Sequence, residues 1–221
     1  MKPQQPIPLL GHGVYSFSDA AKYTGLKQSR IREWFRIREN GQALFESDYG
    51  NVTEQKLVSF RDLIEVFIAG KMRENGIPLA YIRAIHSRLQ SKWSDPHPFC
   101  RQELRISGKD VFLIGVDAKG RDQITYVLTG QHVFPRIISP FLKKLDYEGE
   151  IAIRWRIAKG VEINPAFAWG QPVASTSKIP TYILSSSFHA NGKQADAVAH
   201  WFGVTKDDVL AAVKFEKMLV A

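Results

Sequence analysis

The sequence predicts a mainly α-helical protein with a small α+β middle. Apolar residues recur at helical spacing between Ser16 and Trp93, under two helix-cap signals. The period then changes to two between Val111 and Ile157, the spacing of strands. Helical spacing returns from Tyr182 to the C-terminus, divided by Asn191-Gly192 and Gly203.

Residues 1–13 hold three prolines and two glycines and read as a flexible arm. Ser16 is placed to cap a first helix, with Asp19 three residues on in capping-box spacing. Ala20 and Ala21 allow a second helix to cross closely. Thr24-Gly25-Leu26 makes the turn, Gly25 taking the left-handed conformation and Leu26 plugging the corner. The second helix is expected from about Lys27 to Arg38, with Ile31 and Trp34 inward. Its outer side then carries Ser29, Arg32, Glu33 and Arg36, with Arg30 at the flank. A helix pair with a basic outer face has the form of a helix-turn-helix, whose second helix enters the major groove.

Glu39 to Lys56 is polar and turn-rich, with Phe45 and Tyr49 as apolar contacts. Leu57-Val58 could close a short hairpin there, in the place of a wing. Ser59 and Asp62 repeat the cap spacing before a stripe of Phe60, Leu63, Ile64, Phe67, Ile68 and Met72. Asn75-Gly76 ends that helix. Pro78 opens another, carrying Ile82, Ile85, Leu89 and Trp93 on its core side, with His86 as a structural histidine at the edge. Ser94 to Pro98 breaks the helix and marks a boundary.

Beyond it, Val111–Val116 and Gln123–Leu128 read as strands of a hairpin turning at 117–120, and Pro135 opens a helix towards Leu145. Ile151, Ile153, Trp155 and Ile157 alternate with Ala152, Arg154 and Arg156, a half-buried strand. Three helices close the chain: one with Tyr182, Ile183, Leu184 and Phe188, one with Ala195, Val198, Ala199 and Phe202, and one capped by Thr205 with Asp208 three on. The last is apolar on two sides. Val209, Ala212, Val213 and Val220 form one face; Ala211, Phe215, Met218 and Leu219 form another, whose neighbour is either a partner chain or the middle segment. The expected division is an arm (1–13), a DNA-binding domain (14–96), an α+β connector (97–160) and a helical C-terminal domain (161–221).

Net charge is +8 and the pI about 9.6, which suits a polyanionic partner. Basic residues outnumber acidic ones by 14 to 10 in residues 1–96 but only by 5 to 4 in 163–221, so nucleic-acid contact belongs to the earlier part. Cys100 is the single cysteine, which excludes an internal disulfide and suits a reducing compartment. No apolar run reaches membrane-spanning length and the opening residues resemble no signal peptide, so a cytoplasmic protein is expected. The six histidines are scattered, and no phosphate-binding loop or dinucleotide fingerprint is present. No enzyme activity, metal or cofactor is therefore expected.

YSFSDAAKYTGLKQSRIREWF, with LVSFRDLIEVFIAGKMRENGIPLAYIRAIHSRL after the wing region, resembles the MerR-like winged helix-turn-helix. The wing region is longer than usual in that family, and no long coiled-coil helix follows Trp93. Asn164-Pro165, Gly170-Gln171-Pro172-Val173, Ile179-Pro180, Gly192, Phe202-Gly203-Val204-Thr205 and Val209 to Glu216 resemble a small bacterial domain of unknown function with a homeodomain-like three-helix fold, common in toxin–antitoxin operons. Ser175-Thr176-Ser177-Lys178 and Lys193-Gln194 depart from its pattern. Together the two segments resemble the VapB-type antitoxins. That resemblance implies a DNA-binding autorepressor that neutralises a PIN-like ribonuclease toxin; because a lone winged module buries little groove, a homodimer on operator DNA is expected. Lys27, Gln28, Ser29, Arg30, Arg32 and Arg36 are the expected DNA-contacting residues, and Ala211, Phe215, Met218 and Leu219 the expected partner-contacting ones. The alternatives are a transcription regulator without a toxin and an interaction module that does not bind DNA.

Overall fold

Helix starts are set by the capping residues. In this computed structural model, which describes residues 11–37, 43–50, 57–106 and 140–220, the Ser16 hydroxyl accepts from Asp19 N–H while the Asp19 carboxylate accepts from Ser16 N–H. The box opens α1 (Phe17–Thr24), and Gly25 ends it at φ 74°. Helix α2 (Gln28–Trp34) follows directly. The second box, Ser59 with Asp62, opens α3 (Phe60–Glu74), and α4 (Leu79–Trp93) starts after Pro78. Helix α3 is buried on nearly every side. Leu26 sits against it at Gly70, where any β-carbon would come within 2.8 Å of a Leu26 methyl.

Strand β1 (Tyr15–Ser16) pairs antiparallel with β2 (Leu57–Val58), so Leu57-Val58 closes onto the start of α1; residues 38–42 and 51–56 of the expected wing region lie outside the described residues. The short α5 (Gln102–Ile106) then leads out of the first half. The hairpin expected over 111–128, and the first residues of the helix expected from Pro135, lie outside the described residues. Residues 140–142 are helical, and the chain is extended from Leu145.

Four antiparallel strands follow in spatial order: β3 (Leu145–Glu148), β4 (Ile151–Ala158), β5 (Val161–Ile163) and β6 (Pro172–Ala174). The alternation expected in β4 is broken. Ala152 and Trp155 are buried while Ile153 is 37% exposed, because the register shifts opposite Asp146/Tyr147 and again after Trp155. Helices α6 (Thr181–Ala190), α7 (Ala195–Phe202) and α8 (Lys206–Leu219) complete the chain. Among the described residues, no helix is long and apolar enough to cross a membrane. Among the described residues the fold is mixed, mainly helical with two small sheets.

The core does not respect the expected boundaries. One cluster runs from Tyr15, Phe17, Ile31 and Trp34 through α3 and on to Phe99, Cys100, Leu104, Leu145, Trp155 and Ile163. The Trp155 ring lies 4.3 Å from that of Phe67 on α3. The boundary at 96/97 thus crosses a continuous core, and that at 160/161 falls in the turn between two strands of one sheet. A smaller cluster joins Ala174 to Leu184, Val198, Val209 and Ala212.

Residues 11–13, expected to belong to the flexible arm, are tied down, and residues 1–10 lie outside the described residues. His12 C=O accepts from Phe60 N–H at 2.8 Å, and Gly13 C=O accepts from the Tyr49 hydroxyl. Val14 N–H donates to Trp169 C=O at 3.1 Å, and the Tyr15 hydroxyl donates to Gly170 C=O at 2.8 Å. The receiving turn has three successive residues at positive φ: Ala168 (47°), Trp169 (57°) and Gly170 (83°).

Candidate nucleic-acid interface

A short helix braced from one side presents everything else to solvent. Ile31 and Trp34 are fully buried beneath α2, and Leu26 closes the corner before it. Lys27, Gln28, Ser29, Arg30 and Arg32 are all exposed. Among the described residues, no carboxylate pairs with Lys27, Arg30 or Arg32. Four cations elsewhere in the chain are committed to carboxylates. Arg101 holds Asp95, Glu103 and Glu150; Arg154 and Arg156 hold Asp146; Lys206 holds Asp196. Arg154 and Arg156, on strand β4, are thus engaged with their own chain.

Helix α2 ends at Trp34, four residues before the expected end. Phe35 N–H turns back to the carbonyls of Ile31 and Glu33, and the Phe35 ring is buried 5.3 Å from Phe17 and 5.7 Å from Phe45. The N–H groups of Leu44 and Phe45 both donate to Trp34 C=O, at 2.9 and 3.1 Å, and close the helix end. Arg36 is exposed but lies past the helix, paired with Glu33 at 3.0 Å, so it does not share the helical face as expected.

The segment 43–50 that closes α2 is held by a buried polar cluster. His97 Nε2 and Asp48 Oδ1 are 2.8 Å apart. The second Asp48 oxygen accepts from the Ser59 hydroxyl at 2.7 Å. Asp62, at 1% exposure, accepts on Oδ2 from Ser59 N–H and Asp48 N–H at 2.9 and 3.2 Å. Its Oδ1 has no hydrogen-bond partner and lies 3.9 Å from His97 Nδ1. Burial pushes the Asp62 carboxyl up to about 7, against the pull of His97. For Asp48, burial is outweighed by the His97 bond and charge and by Ser59, which hold it below the usual range. Burial likewise disfavours charge on His97, but the Asp48 bond and the Asp62 and Asp48 charges leave its pKa raised. Beside this cluster Glu65 accepts from Phe99 N–H at 2.8 Å, and its other oxygen lies 3.0 Å from His86 Nε2 without the alignment of a hydrogen bond. His86 is thus a buried core residue, as expected. A cleft of about 150 Å³ opens between 43–48 and α4, lined by Ser47, Asp48, Arg83 and His86 among others.

The residues expected to meet a partner do not share one surface. Phe215 is 2% exposed and Ala211 packs against the β4–β5 turn, where a β-carbon on Gly160 would fall 2.9 Å from the Ala211 methyl. The sheet is therefore the second neighbour of α8 on that side. Of the four, Met218 is 57% exposed and Leu219 half-buried. Tyr182, expected inside, is instead exposed, as are Trp201 and Leu210.

The fold is similar to the crystal structure of Rv2018 from Mycobacterium tuberculosis, with a TM-score of 0.74 and 22% sequence identity over 94% of this chain and 98% of that one. At this identity the likeness shows a shared fold across nearly the whole chain. No family model and no curated protein matches the sequence.

Proposed function

We propose that the chain binds double-stranded DNA through α2 and represses its own operon as the antitoxin of a toxin–antitoxin pair. The observation that carries the DNA part is the clustering of exposed cations. Lys27, Arg30 and Arg32 stand together at the start and on the outer side of a helix braced by Ile31 and Trp34, with no carboxylate partner among the described residues. In the winged helix-turn-helix that the sequence resembles, this helix occupies the major groove. Arg30 and Arg32 would read guanine edges, Gln28 adenine, and Lys27 a phosphate. Arg36, off the helix, serves at most the backbone. A single short helix reads few base pairs, so two copies on a palindrome are expected, with half-sites about 34–36 Å apart.

The antitoxin part rests on the sequence resemblance, and the partner it implies is a PIN-like ribonuclease. The exposed Tyr182, Trp201, Leu210 and Met218 leave apolar surface on the three C-terminal helices for such a partner. The test has two arms. In fluorescence anisotropy on the promoter upstream of the gene, Arg32→Ala should cost about 1–3 kcal/mol on the preferred site and less on scrambled duplex. Unchanged affinity and preference would remove the groove assignment. In the second arm the neighbouring reading frame is co-expressed, and failure of a ribonuclease to co-purify removes the antitoxin role while leaving DNA binding standing.

A further inference from the structure

We infer that Asp48, Asp62 and His97 form a binding site for one divalent transition-metal ion, zinc or a similar cation. The inference does not rest on DNA binding. One ligand atom from each residue lies within 4.8 Å of those of the other two. An ion bonded at about 2.0–2.2 Å to tetrahedral ligands holds them about 3.5 Å apart, so side-chain rotations of about 1 Å close the set. The second, independent observation is the orphan oxygen. Asp62 is 1% exposed, its Oδ2 is occupied by backbone donors, and its Oδ1 points towards His97 with no donor in reach. A buried carboxylate oxygen left in this way is costly unless a proton or a cation takes the place of water.

The donor set chooses among cations. One imidazole and two carboxylates suit zinc and its neighbours, whereas calcium takes six to eight oxygens and magnesium keeps most of its water. Three protein ligands leave a fourth position, and Asp48 lines the cleft beside α4, which gives the ion a route in and a water of its own. The ligands come from three places: the segment after α2, the first turn of α3, and the turn before Pro98. Binding would therefore cross-link parts of the chain far apart in sequence.

The test uses the full chain, stripped with a chelator and titrated with Zn²⁺ by calorimetry and with Co²⁺ by visible absorption. One equivalent should bind at micromolar Kd or tighter, with the d–d bands of a low-coordinate Co²⁺ ion. Asp62→Asn keeps an amide oxygen for the Ser59 and Asp48 N–H groups and puts an NH₂ where the free oxygen was, so the helix cap survives. It should weaken metal binding at least about 100-fold and leave the metal-free melting temperature equal or higher. Imidazole NMR of the wild-type protein supplies a second readout independent of that variant. The His97 ring signals should move with the first equivalent of Zn²⁺. No stoichiometric binding, undiminished binding by Asp62→Asn, or shifts confined to the exposed His189 and His200 would each overturn the site.

Discussion

Replacing Trp155 tests whether the first half of the chain and the four-stranded sheet are one cooperative body. Trp155 is 2% exposed, its ring packs 4.3 Å from Phe67 on α3, and it belongs to the cluster that includes Ile31, Trp34 and Leu63. Deleting a buried aromatic ring costs about 3–5 kcal/mol in transfer and cavity energy. The indole N–H, however, is buried with no acceptor among the described residues, and such a group already costs about 1–3 kcal/mol. The loss for Trp155→Ala therefore falls at the low end, about 3 kcal/mol. In a chain of 221 residues, each kcal/mol moves Tm by about 2–4 °C, so Tm should fall by about 6–12 °C. Trp155→Phe keeps a ring against Phe67 and removes the orphan donor, and should stay within about 1 kcal/mol of wild type. Scanning calorimetry with far-UV circular dichroism reads both. A single transition should move as a whole. If Trp155→Ala instead splits the melt, with the larger transition staying at its wild-type temperature, the two halves fold independently and the shared core has no energetic meaning.

Two further contacts are open to substitution. Gly70→Ala gains about 1 kcal/mol in helix propensity but drives a methyl into Leu26, an overpacking worth about 1–3 kcal/mol. Net destabilisation by chemical denaturation should be about 1 kcal/mol, and Leu26→Ala in the same background should cost less than the sum of the two; full additivity would mean the contact is not felt. Lys178→Met leaves the buried Glu162 carboxylate without its 2.7 Å partner. The expected cost is about 3 kcal/mol, the low end for a broken buried pair, because Arg154 remains 3.6 Å away. A melt unchanged at neutral pH would mean that Arg154 alone suffices.

What the sequence made legible was local. Ser16 with Asp19, Ser59 with Asp62 and Gly25 announce helix ends because each cap is made within three or four residues. The inward pair Ile31 and Trp34 follows from helical spacing in the same way. The early end of α2 was not legible, because Phe35 leaves the helical path to join Phe17 and Phe45, contacts that no short window contains. The irregular burial of β4 depends on register shifts set by the neighbouring strands, and the joining of β5 to it and of β6 to β5 was hidden by three-residue strands too short to show a period. The Asp48–Asp62–His97 cluster left no signature at all. Asp62 reads as a helix cap and nothing more, since its companions stand 14 residues before it and 35 after. The basic face was fully visible at Lys27, Gln28, Ser29, Arg30 and Arg32; the proposed partner face was misjudged at Ala211 and Phe215, whose neighbours are supplied by the sheet.

The bond from Tyr15 to the Gly170 carbonyl has a bearing on how the protein is made. Residues separated by 155 positions must meet before the Tyr15 hydroxyl has its acceptor, so a nascent chain emerging from the ribosome cannot complete the contacts of its leading segment until most of the polypeptide has followed. Translation products truncated ahead of Trp155 would leave α3, buried on nearly every side in the full chain, without part of its cover. Prematurely terminated copies should therefore be cleared by proteolysis and not accumulate as free-standing heads.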